Sequence, residues 1–95
     1  MPIGILAEMQ GMTAEMYDAL NDAMGFPEQV PDGLLMHLAG PIDGGFRVVD
    51  VWESREKFDR FAEGTLMPAF GQLEGRDRVQ PNPPQQFDVH NTFKA

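Results

Sequence analysis

Residues Leu34 to Glu53 read LLMHLAGPIDGGFRVVDVWE. Leu34 to Ile42 and Gly45 to Glu53 are both rich in strand-favouring residues, and the Asp43-Gly44 dipeptide between them suits the positive φ angles of a two-residue type I′ turn. The expected product is an antiparallel hairpin. With Asp43 and Gly44 as the turn, Leu35 faces Trp52, His37 faces Asp50 and Ala39 faces Val48. A three-residue loop, which Gly45 allows, would instead set His37 opposite Val51. Alternation puts Met36, Leu38, Val49 and Val51 on one face, and Leu35, His37, Ala39, Val48, Asp50 and Trp52 on the other. Both faces carry apolar bulk, and a sheet covered on both sides needs a partner.

Working outward, Ile3 to Gln10 alternates with Gly11 as its stop, which predicts a strand. Thr13 caps a helix with Glu15 near its positive end. Met16, Leu20, Ala23 and Met24 form its apolar stripe, Asn21 and Asp22 fall on the wet side, and Gly25 ends it. Phe26 to Gly33 contains Pro27, Pro31 and an Asp-Gly step and reads as connector. After the hairpin, Ser54 caps a second helix whose stripe is Phe58, Phe61, Ala62, Thr65 and Leu66, with Glu56 four residues before Arg60 for a surface pair. Pro68 ends it or opens a short extra turn. Gln72 to Gln86, with Pro81, Pro83 and Pro84, reads as an irregular excursion that closes over a site or wraps a neighbour. A last strand is expected from Phe87 to Phe93. The order is βαββαβ, an α+β ferredoxin-like plan with a four-stranded antiparallel sheet and both helices on one face.

The 95 residues are predicted to form a single domain, 1–95. Fifteen acidic residues against seven basic ones give a net charge of −8. Such a field repels phosphate and anionic lipid, so neither nucleic acid nor a membrane is expected as a partner. The lack of cysteine excludes disulfides, thiolate chemistry and cysteine zinc sites. No stretch approaches the roughly 20 apolar residues of a membrane span, and Met1 to Glu8 lacks an export pattern, so a cytoplasmic protein is expected. Seven Phe, seven Met and one Trp are more apolar bulk than so small a core hides, and the simplest cover is a second copy packed sheet to sheet as a homodimer.

That plan, together with Val51-Trp52-Glu53-Ser54-Arg55-Glu56-Lys57-Phe58 and above all its Trp-Glu-Ser step from third strand to second helix, resembles the dimeric α+β barrel superfamily. Within it the likeness is to antibiotic-biosynthesis-monooxygenase-like proteins. The resemblance implies two domains packed sheet to sheet, each with a pocket between its own sheet and helices. It also implies one of several chemistries, among them cofactor-free oxygenation of aromatic polyketides and haem degradation by an Asn, Trp and His set. Position 48 is Val where quinone-forming members carry Asn, and Phe61 to Phe70 has no His where the haem degraders place their axial ligand. Haem is therefore not expected, the monooxygenase set is incomplete, and the chain is expected to use no cofactor.

His37 opposite Asp50 is the sharpest chemical signal. Directly opposed residues project to one face with Cβ atoms about 4.5–5.5 Å apart, close enough for a carboxylate to orient an imidazole and select its tautomer. The catalytic candidates are thus His37 as general base and Asp50 as its orienting partner. The same pair would equally satisfy a buried carboxylate with no chemistry attached. Trp52 and Leu35 share that face as candidate substrate contacts, with His90, Glu8 and Asn91 as further polar candidates. Glu8 and His90 converge if the first and last strands neighbour each other. Arg47 is expected to face the aliphatic side or a dimer seam. A metal held by both histidines and a carboxylate has no spacing signature, so none is expected. Ser54, the only serine, is used as a cap, and no glycine-rich phosphate loop lies between strand and helix. The expected function is a small cofactor-independent, monooxygenase-like enzyme removing a proton from an aromatic or polyketide-like substrate. A cyclase or isomerase on a similar substrate is the nearest alternative, and a non-catalytic dimeric small-molecule binder is the alternative from another class.

Overall fold

The computed structural model describes residues 1–93, so the final two positions of the expected domain lie outside the described residues. Strand β1 (Ile3–Gln10) leads through a turn to helix α1 (Ala14–Met24), and the hairpin of β2 (Leu34–Ile42) and β3 (Gly45–Trp52) follows. Helix α2 (Arg55–Phe61) continues through a π-helical turn (Ala62–Leu66) into α3 (Met67–Phe70). A 3₁₀ turn (Arg76–Arg78) precedes two short strands, β4 (Gln80–Pro81) and β5 (Gln85–Asp88). The sheet runs β2-β3-β1, with both β4 and β5 antiparallel to the far edge of β1. This is the α+β ferredoxin-like order, with the fourth strand in two pieces.

The break in that strand follows from chemistry. Pro83 and Pro84 have no N–H to give the ladder, so pairing lapses after Asn82, whose N–H still donates to the Glu8 carbonyl at 2.9 Å, and resumes at Gln85. Two sequence expectations are corrected here. The last strand is Gln85–Asp88 rather than Phe87 to Phe93, and part of the Gln72 to Gln86 excursion belongs to the sheet. That excursion also supplies Leu73 and Val79 to the core, which its polar composition conceals.

The helix caps are as read. Thr13 and Ser54 accept from the backbone N–H groups of Met16 and Lys57, and Gly25 closes α1 at φ +83°. Glu56 pairs with Arg60 on α2. Lys57 ties the connector to α2 by bonding Glu53 and Asp32, and these hydrogen bonds, that to Glu53 first, raise its pKa above the usual 10.5.

The hairpin has the expected two-residue loop with a different turn. Asp43 keeps a negative φ and only Gly44 enters the left-handed region, at +77°, so the turn is not type I′, which needs positive φ at both central residues. His37 faces Asp50 and Ala39 faces Val48 as expected. An irregularity between Leu34 and Met36 then shifts the pairing, so Trp52 lies opposite Leu34 and not Leu35.

Both helices pack on the face of Ile3, Ile5, Phe46, Val48, Asp50 and Trp52. One core cluster, under α1, joins Met12, Leu20, Phe46, Leu73 and Val79. The other, under α2, joins Ile3, Ile5 and Trp52 with Leu34, Phe58 and Phe61 against them. The opposite face stays open: Leu38 is 53% exposed, and Phe87, at 52%, lies across Gly4 so closely that a Cβ there would sit 2.2 Å from its ring. Arg47 is on this face, paired with Glu8 across the β1–β3 ladder.

Candidate functional site

Asp50 is the one buried charged residue among the described residues. Position 50 faces the helices because strand side chains alternate, and its neighbours Val48 and Trp52 share that face. Its oxygens are both engaged: Oδ1 lies 2.6 Å from His37 Nδ1, and Oδ2 accepts from Trp52 Nε1 at 3.3 Å. A carboxylate taken from water into a core requires such partners. Trp52 is fully buried, so one apolar anchor and one ionisable pair are locked together. The second imidazole nitrogen, Nε2, lies 2.5 Å from the Tyr17 hydroxyl. The Tyr17 ring stands nearly parallel to that of His37, 6.0 Å away, and stacks on Phe46 at 5.1 Å.

This array borders a cavity of ≈ 210 Å³ between the two core clusters. Its walls are Ile5, Ala7 and Val48 from the sheet, Leu20 and Met24 from α1, Phe58 and Phe61 from α2, and Leu66 from the π-helical turn. Pro81, Asn82 and Pro84, at the break in the fourth strand, form another wall. Trp52 meets Phe61 at 5.2 Å and Phe58 edge-on at 5.7 Å, which gives the cavity an aromatic side. Tyr17, Asn21, Phe26, Leu34 and His37 also line a wider outer cavity of ≈ 670 Å³ between α1 and the connector, with Asp18, Asp22, Val30 and Pro31 around it. Among the described residues no lysine or arginine lines either space. The inner room suits an uncharged aromatic body, and its polar end is Tyr17, His37 and Asp50.

Of the residues singled out from the sequence, the fold brings His37, Asp50 and Trp52 together. Leu35 is displaced by the irregularity at the start of β2; it is 55% exposed and Leu34 lines the cavity in its place. Glu8 is on the open face with Arg47. His90 and Asn91 are exposed and lie outside both cavities. Glu8 and His90 do not converge, because the antiparallel β1–β5 register sets Asp88 against Ile3 and carries His90 past the opposite end of β1 from Glu8. Among the described residues no three His, Cys, Asp or Glu gather to hold a metal ion.

Two residues were missed. Tyr17 lies three before Leu20 and four after Thr13, spacing that places it on the inner stripe of α1. Asn21, read as wet, is half-buried and lines both cavities one turn further along, whereas Ala23 is exposed.

No protein-family model matches the chain, and no curated protein matches it. Solved structures do match. SnoaB, a cofactor-independent oxygenase from Streptomyces nogalater, superposes with a TM-score of 0.70 at 17% identity, over 99% of this chain and 98% of that one. MhuD, a heme-degrader from Mycobacterium tuberculosis, gives 0.65 at 20% identity over 97% and 99%. A candidate antibiotic biosynthesis monooxygenase from Chloroflexus aurantiacus gives 0.67 at 14% identity over 97% of each chain. The chain thus has the fold of antibiotic-biosynthesis-monooxygenase-like proteins over nearly its whole length.

Proposed function

We propose that the protein is a cofactor-independent enzyme of the monooxygenase-like kind, acting as a homodimer on an uncharged aromatic or polyketide-like substrate. The observation that carries this reading is the His37–Asp50 pair, 2.6 Å apart, at the edge of a mostly apolar cavity with Trp52 and Phe61 in its wall. Asp50 holds the Nδ1 proton, so the imidazole accepts a proton through Nε2. The substrate proton leaves to this base, and the resulting anion is conjugated into its own aromatic system. Such an anion reduces dioxygen itself: a ring CH₂ becomes C=O, one oxygen atom stays in the product and the other leaves as water. SnoaB, whose fold this chain shares, is a cofactor-independent oxygenase, which supports the choice of oxygen chemistry without a cofactor. The open sheet face, with Met36, Leu38, Val49, Val51 and Phe87, supports the dimer, because solvent is a poor cover for so much apolar surface.

The cyclase or isomerase reading requires the same proton removal with no oxygen consumed. The binder reading requires the cavity alone. The test begins with native mass spectrometry of the purified protein to identify a co-purifying aromatic compound, followed by turnover assays under air and under nitrogen. The parental protein is expected to consume one dioxygen per product, and His37→Gln to lose about 10²–10⁴-fold in turnover while still binding the compound. Parental turnover by His37→Gln would remove the base from the mechanism. Equal turnover under nitrogen would assign the isomerase chemistry, and binding with no turnover the binder.

A further inference from the structure

We infer that Tyr17 is the catalytic residue that meets the substrate, and that His37 receives the proton through it. This inference rests on the proposed proton-abstracting function and specifies the substrate as a phenol or enol.

Asp50, ionised, only accepts, so His37 Nδ1 must be the donor in their 2.6 Å contact. The remaining nitrogen, Nε2, then has a single lone pair, and the Tyr17 hydroxyl lies 2.5 Å from it. His37 therefore has no nitrogen left for a substrate. Asp50 is only 8% exposed, and each of its oxygens already accepts an N–H, one from His37 and one from Trp52. The Tyr17 oxygen donates its one hydrogen to His37 and keeps a lone pair, and Tyr17 lines both cavities, so it is the member of this array placed to take a hydrogen from a substrate. Stacking on Phe46 holds the ring in this position.

A substrate hydroxyl arriving there donates to the Tyr17 oxygen. As the substrate O–H bond breaks, a new O–H forms on Tyr17, the original Tyr17 O–H breaks, and its proton forms an N–H bond at His37 Nε2. Tyr17 ends as it began. The substrate carries the negative charge and the imidazolium the positive, beside the Asp50 carboxylate. An acidic O–H makes this transfer well because it can hydrogen-bond to a phenolic oxygen before giving up its proton, which an unactivated C–H cannot do.

The test uses 4-nitro-1-naphthol, whose phenolate absorbs in the visible, at a pH where the free probe is mostly protonated. Bound to the parental protein it is expected to show the phenolate band. Tyr17→Phe and His37→Gln are each expected to bind it within about threefold of the parental affinity and to cut the bound phenolate fraction about tenfold or more. The probe's O-methyl ether, which has no proton to give, is expected to bind all three proteins alike. A phenolate band kept by Tyr17→Phe and lost by His37→Gln would overturn the inference while leaving His37 as a direct base. No ionisation of the probe on the parental protein, or a band kept by His37→Gln, would defeat the base reading itself. Failure of the probe to bind the parental protein would reject the phenol class, and loss of ether binding by Tyr17→Phe would reduce Tyr17 to a structural wall.

Discussion

Asp50 does two jobs with one carboxylate. It fixes the tautomer of His37 and anchors the indole of the fully buried Trp52. Asp50→Ala removes the acceptor from two N–H groups at once, and each left unpaired costs about 1–3 kcal/mol. A clear fall in the urea midpoint is expected, and the same replacement made in a background already lacking His37 is expected to cost less, because there it newly orphans only the indole N–H. A parental midpoint for Asp50→Ala would mean that water replaces the carboxylate freely. The His37–Asp50 pairing was legible in the sequence because an antiparallel register is a matter of counting from the turn. The Tyr17 contact was not, because the rotation that aims a helix side chain at a strand is set by the packing of one on the other.

Elements shape the cavity where they depart from regularity. The π-helical turn at Ala62–Leu66 interrupts the helix that lines one side, and the broken fourth strand contributes Pro81, Asn82 and Pro84 to another. The path into that broken strand depends on Gly11, which has φ +86° and approaches Arg78 so closely that a Cβ would lie 2.1 Å from the carbonyl oxygen. Gly11→Ala thus meets both backbone strain and a backbone clash, for which a loss on the order of 1–3 kcal/mol is expected. Thermal unfolding should fall by several degrees, at roughly 4–8 °C per kcal/mol for a domain of this size. An unchanged midpoint would show that the 3₁₀ turn shifts at no cost.

Assembly turns on the uncovered side of the sheet. Leu38 is half-exposed there and Phe87 with it, while the net charge of −8 opposes close approach of two copies. Apolar burial exceeds that repulsion if the faces mate, and added salt strengthens the association by screening. Light scattering after size exclusion at low micromolar concentration is expected to report a dimer. Leu38→Glu places a charge in the middle of that face without disturbing the core, so a folded monomer is expected from it. A parental protein that remains monomeric, or a Leu38→Glu variant that remains dimeric, would direct attention to another surface.

The strand and helix order, both caps, the hairpin loop length and the His37–Asp50 opposition follow from chain-local properties: periodicity, capping chemistry and counting. These need only a residue's neighbours along the chain, so they can be read before any fold is known. The exchange of Leu35 for Leu34 beside the cavity came from an irregularity in strand pairing that no residue type announces. Separation of Glu8 from His90 required the register of β5 on β1, and the recruitment of Tyr17 and Asn21 required α1 to be docked on the sheet. Each of these depends on contacts between segments far apart in the chain, where the packing of two surfaces, and not the preference of either, chooses the arrangement.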